Sequence, residues 1–400
     1  MPDFFAKRFH DKNNVITALS ALVIIIFFIP YTASGFAACG KLFNSLFGIN
    51  YQVAMMLSAL LIVGYTITGG FNAVCVTDLV QSIVMTGALA IVLIYGISRA
   101  GGWTAVMDNA AALPGYLSLT STFDVASGSE VKYNFLTIFS TAAWGLGYFG
   151  MPHILVRFMA IEDEKKLVLS RRIASVWVVI AMTAGVLIGI VGLGMTKAGA
   201  LDTLTGSNSE TIIVRIAGII SQHNALTALI AGIILAGILA ATMSTADSQM
   251  LAAASGVSQN IVHDFLKIKI SEKTNLLIAR LTIVGIAIVS IFLARNPDSS
   301  VFKIVSFAWA GFGGAFGAVV LCSLFWKRCN LAGAIAGIIS GGATVFIWKY
   351  LVRPLGGILD IYELLPAFIV SLIFIIVVSL LTKAPDEEIV REFEAAGKKA

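Results

Sequence analysis

Trp144, Tyr148 and Pro152 recur at intervals of four along an apolar stretch that also carries Gly145, Gly147 and Gly150. Proline removes a backbone donor and clashes with the preceding turn, so this stretch breaks whatever helix it belongs to. At membrane depth no water satisfies the freed backbone groups, and such a break survives only where it is buried in protein or lines a cavity. Interrupted helices of this kind supply the substrate and ion sites of secondary transporters. The aromatic rings add faces that close over a small cationic or cyclic ligand. The bland alternative is a glycine-rich packing face, since small residues let membrane helices approach closely. Gly313 and Gly317 fit that description; residues 144–152, with their aromatics and terminal proline, point to a site.

Polar residues inside apolar runs are the next candidates. Thr242, Ser244, Thr245, Asp247, Ser248 and Gln249 fall within eight positions of one run. One or two hydroxyls commonly bond back to the preceding turn, but six polar residues exceed that need. Sodium is a hard cation that takes oxygen ligands, as Ca²⁺ and Mg²⁺ do, and a pair of hydroxyls with helix carbonyls suits it. Asp78, within Thr77-Asp78-Leu79-Val80-Gln81, has two readings. It is a helix N-cap at the inner interface, or an ion-linked carboxylate whose burial is expensive unless paired or hydrated. Tyr31, after Pro30, also has two: substrate contact, or a structural hydrogen bond of the kind a buried phenol requires.

The elements that must hold these residues are membrane helices. The 400-residue chain is 58% hydrophobic and 12% charged, about half the charge of a soluble domain. A bilayer core of about 30 Å needs roughly 20 apolar residues of helix, and ten runs qualify: 15–40, 51–69, 75–98, 134–151, 173–196, 225–258, 275–294, 301–326, 331–350 and 363–382. The run at 225–258 is too long for a straight crossing and is expected to tilt or to continue past the membrane. With the N-terminus inside, eighteen of the 27 Lys and Arg fall in the inner segments, so both termini are expected to be cytoplasmic. That distribution explains the net charge of +5 by topology rather than by nucleic-acid binding. The outer loops 101–133 and 197–224 are expected to carry short interfacial helices. Residues 1–383 read as one membrane transporter domain and 384–400 as a cytoplasmic tail, helical or disordered. Met1–Asn14 is polar and charged, unlike a cleavable leader. The four cysteines show no metal-ligand or disulfide spacing. No zinc-protease, nucleophile-elbow or phosphate-loop motif is present, so the expectation is a transporter with no catalytic residues and no cofactor.

Taken together these residues resemble the sodium/solute symporter family, most closely its bacterial sodium/proline branch. The densest points are Gly69-Gly70 through Asp78 and Gln81, Trp144 to His153, Ala241 to Thr245, and Ala308-Trp309-Ala310-Gly311-Phe312-Gly313. The resemblance implies an all-α, LeuT-like fold of two inverted five-helix repeats in the cell membrane. It implies a proline site lined by Trp144, Tyr148 and Pro152 with Tyr31 nearby. Ala241 (through its carbonyl), Ser244 and Thr245 would bind sodium, with Asp78 on the ion's route. The implied partners are Na⁺, a small amino acid and lipid. Family members carry three spans ahead of the segment matching Met1–Phe5, one of them a broken helix that ligates sodium. The first repeat is therefore expected to be incomplete, and the 400 residues alone to be unstable and unable to couple transport. An inactive remnant or a transporter-derived solute sensor is the alternative.

Overall fold

The computed structural model describes residues 1–397, without the side chains of residues 69–73. It is almost entirely helical. In chain order the helices are α1 (Pro2–Phe9), α2 (Val15–Phe47), α3 (Tyr51–Arg99) and α4 (Trp103–Ala111). A hairpin of β1 (Ser121–Asp124) and β2 (Ser129–Lys132) follows, pairing antiparallel with Ser121 opposite Lys132. Next come α5 (Phe135–Ala142), α6 (Trp144–Gly147), α7 (Pro152–Met159), α8 (Leu167–Lys197), α9 (Ile212–Ser221) and α10 (Ala225–Ser255). The chain ends with α11 (Glu272–Leu293), α12 (Val301–Phe312), α13 (Ala318–Phe325), α14 (Leu331–Ile347), α15 (Leu364–Leu381) and α16 (Glu387–Gly397).

Nine helical stretches among the described residues are long and apolar enough to cross a membrane. They match nine of the ten expected runs. The tenth, 134–151, is divided among α5, α6 and a 3₁₀ turn at Tyr148–Gly150. Gly145, Gly147 and Gly150 fall in its second half, and Pro152 follows it. The long run at 225 continues, as expected, through a π-helical turn at Gly256–Phe265. The runs at 51 and 75 differ from expectation, because both lie in the continuous helix α3. The Tyr65 hydroxyl nonetheless donates to Thr77 Oγ1 at 2.6 Å. Twelve residues of straight helix would separate their α-carbons by about 18 Å along the axis, so α3 bends between them. The Gly69-Gly70 pair lies in that interval, among residues whose side chains fall outside the described ones. The loop at 101–133 holds a β-hairpin as well as the expected short helix α4.

The larger core gathers around α2, with Phe27 and Phe28 packed against Phe312, which stacks on Phe316. A second core joins Val92 of α3, Val191 and Met195 of α8, Ile216 of α9 and Ile234 of α10. Polar tethers sort the ends onto two faces. On one, His10 meets Glu392 at 2.8 Å, Arg8 Nε donates to the Ser323 carbonyl, and Asn260 Nδ2 donates to Asp3. The first helix, the last helix and the α13 terminus therefore share a side. On the other, Glu210 accepts from Lys41, Ser300 and the N–H groups of Val301 and Phe302.

Candidate functional site

Chain breakage at 144–152 follows from local chemistry. Tyr148 N–H bonds the Gly145 carbonyl, a tightened turn at the end of the four-residue helix α6. Met151 is extended, at φ −79° and ψ 107°, as the residue before a proline prefers. Pro152 then occupies the first position of α7, where its missing N–H would have no partner in any case. So the proline opens the second half-helix rather than merely ending the first. The gap is cradled by α12 and the π-helical turn Gly313–Gly317 that follows it. A Cβ on Gly150 would lie 2.3 Å from the Phe312 carbonyl oxygen, and one on Gly313 would lie 2.8 Å from Gly147 Cα. Gly313 and Gly317 thus form the packing face expected of them, and what they pack against is the break.

The expected substrate residues converge on this break from two helices. Trp144 stacks on Trp309 with ring centroids 5.1 Å apart, and also on Phe302 and Tyr362. Tyr148 meets the Trp309 ring edge-on at 4.8 Å and remains 40% exposed. Tyr31, on α2, packs edge-on against His153, which also touches Phe28. Pro152 and His153 line a cavity of about 570 Å³ together with Thr66, Arg157 and Ser248. The cavity reaches Asp3, Asn260 and Arg280 on the face that holds the chain ends. His153 Nδ1 is buried there without a hydrogen-bond partner.

The expected cation residues occupy one turn of α10. Ser244 Oγ and Thr245 Oγ1 each donate to the Ala241 carbonyl at 3.1 Å. Spacings of three and four place the three oxygens on one helix face. The hydroxyl lone pairs stay free to accept or to ligate, so the turn offers three oxygen donors to a hard cation. The back-bonding is also what an isolated membrane hydroxyl does, so this geometry alone leaves both readings standing.

Asp78 does not cap a helix. It lies mid-helix in α3 rather than at an N-terminus, which removes the capping role. Arg157 of α7 donates to Asp78 Oδ2 and, at 2.8 Å, to Ser248 Oγ. Asp78 is thereby joined to α10 one turn beyond Ser244 and Thr245, through an arginine, and not directly to the Ala241 turn. Its Oδ1 is buried without a hydrogen-bond partner. Asp247, fully buried, accepts from Thr66 Oγ1 at 2.6 Å, and Gln249 accepts from Thr32. These bonds lock α10 against α3 and α2. Sequence reasoning overlooked Arg157 by counting it among loop charges. Its one signal was a lone cation five residues past Pro152. Trp309 carried no signal for its role, because its partner lies 165 residues away.

The sequence model of the sodium:solute symporter family matches residues 1–341. The osmoregulated proline transporter of Bacillus subtilis (strain 168) is 39% identical over 393 residues, covering 98% of this chain and 76% of the relative. The sodium/proline symporter of Staphylococcus aureus is 38% identical over 391 residues, covering 96% of this chain and 73% of the relative. Among solved structures, a substrate-bound outward-open state of a Na⁺-coupled sialic acid symporter matches with a TM-score of 0.71 and 18% identity. That match covers 96% of this chain and 78% of the other. At that identity the likeness shows the fold, a LeuT-like helical membrane architecture.

Proposed function

Since the chain belongs to the sodium:solute symporter family, we propose that it is a sodium-coupled importer of a small amino acid, L-proline foremost. The observation that carries this reading is the broken segment itself. It carries Trp144, Tyr148 and Pro152 within nine residues. Pro152 lines the cavity, and the two aromatics pack on Trp309 outside that lining. Helix α10 carries the Ala241, Ser244 and Thr245 oxygens on one face. The relatives named as proline transporters support the choice of substrate. Tyr148 offers a half-open ring against which a pyrrolidine packs, and Tyr31 and His153 supply polar atoms for its carboxylate and ammonium.

Sodium and substrate would bind near the bilayer midplane and cross by alternating access. The ion drives uptake because it has different affinities for the two states, and no ligand moves an equilibrium otherwise. If the chain ends are cytoplasmic, as the distribution of basic residues favours, the cavity opens inward. The ring stack of Phe302, Trp144, Trp309 and Tyr362 then closes the outer side. Arg157 ties the inner half-helix α7 to α3 and α10, so the half-helix and the sodium turn report to one another. Asp78 is assigned the ion's route by way of this arginine.

The test is labelled-proline uptake into proteoliposomes, with the protein expressed in the reading frame of its own gene. An inward sodium gradient should drive accumulation, and potassium in its place should abolish it. Uptake indifferent to sodium overturns the coupling; accumulation of only sugars or carboxylates overturns the substrate.

A further inference from the structure

We propose that Trp309 is a positioning residue for the substrate site, pinning the broken segment through its indole N–H. This rests on the site reading given above for Trp144 and Tyr148. Trp309 lies on α12, is 5% exposed, and donates Nε1–H to the Trp144 carbonyl at 3.0 Å. Tyr148 N–H turns to Gly145 at the end of the same short helix. A carbonyl oxygen has two lone pairs, and the indole supplies this one with a donor from outside the segment.

The same ring makes three further contacts with the break. Its plane lies 12° from that of Trp144, on which it stacks, and 83° from that of Tyr148, which it meets in a T-shaped contact. It fills the place where residue 147 would carry a side chain, since a Cβ on Gly147 would lie 2.0 Å from Nε1. One side chain therefore holds a backbone carbonyl, both aromatic site residues and the glycine between them. Trp309, like Trp144 and Tyr148, lies outside the lining of the cavity that Pro152 and His153 reach. Its effect on substrate is exerted through the positions of Trp144 and Tyr148.

Trp309→Phe keeps an aromatic plate and deletes the donor. Loss of one buried hydrogen bond predicts a KM for proline raised about fivefold, with the maximal rate per inserted protein and the sodium half-saturation within twofold of wild type. Gly147→Ala attacks the same pin from the other side and should raise KM likewise. The double variant should fall short of the product of the two effects, because the pin is lost only once. An unchanged KM in Trp309→Phe, a parallel change in KM, rate and sodium dependence, or a fully multiplicative double variant overturns the proposal.

A second measurement does not depend on the substrate. Gly145 has open space around it, so Gly145→Cys, in a background whose four native cysteines are replaced by serine, reports the segment's mobility by maleimide labelling. Adding Trp309→Phe should speed labelling at least threefold; an unchanged rate overturns the pin. Wild-type protein without sodium-driven proline uptake would fail the functional reading while leaving the labelling result to decide this one.

Discussion

Ser244 and Thr245 are the residues whose roles the structure leaves to one measurement. Both hydroxyls donate to the Ala241 carbonyl, a bond that serves packing and sodium equally well. If they ligate, Thr245→Ala removes one oxygen from the ion. It should then raise the sodium concentration for half-maximal uptake about tenfold, equivalent to about 1.4 kcal/mol, with little change in proline KM at saturating sodium. Ser244→Ala should act alike. Unaltered sodium dependence in both variants returns the pair to packing. This turn was legible in the sequence because its spacing is local: positions three and four apart share a face whatever surrounds them. Asp78 was not, because its two readings depended on where α3 begins. The N-cap of α3 is Asn50, 28 residues before Asp78, and the partner Arg157 comes from a segment 79 residues on.

At the scale of the element, the break at 144–152 was legible and its cradle was not. Proline and glycine act on their own backbone, so their effect survives any tertiary context. The complementary surface comes from a π-helical turn in α12's continuation, and such turns occur frequently at functional sites. Two glycines that look equivalent in sequence thus carry opposite demands. Gly145→Ala adds a methyl to open space, whereas Gly150→Ala drives one into the Phe312 backbone carbonyl, which no side-chain rotation relieves. Gly150→Ala should destabilise the protein by about 1–3 kcal/mol, and Gly145→Ala by less than about 0.5 kcal/mol. Thermal melting of the detergent-solubilised protein, followed by size-exclusion chromatography, checks the pair. Equal melting temperatures would show that the cradle yields.

Across the whole molecule, Glu210 holds the face opposite the chain ends. It joins α2 through Lys41 to the start of α12 through Ser300, Val301 and Phe302. Burial pushes its carboxyl up, but the hydrogen bonds from Lys41, Ser300 and the two backbone N–H groups outweigh that and hold its pKa below the ordinary glutamate value. A lowered folded-state pKa means that the contribution is complete above the unfolded-state value. It disappears as pH falls through the folded-state value. Glu210→Gln should therefore cost about 1–2 kcal/mol at neutral pH and flatten the loss of stability on acidification. Melting curves from pH 7 to pH 3 test this; parallel curves for wild type and variant would remove Glu210 from the clamp.

The membrane class, the helical runs, the break and the one-sided hydroxyl turn followed from composition, hydropathy and short-range spacing. Each depends on neighbours within a few residues and on the bilayer's demand that backbone groups be satisfied internally. The bend that lets Tyr65 reach Thr77, the arginine bridge from Asp78 to Ser248, and the Thr66–Asp247 lock belong to the folded chain. So does the indole that takes up the Trp144 carbonyl. All of them join residues too far apart in sequence for periodicity to register, and their energies exist only once the helices have packed.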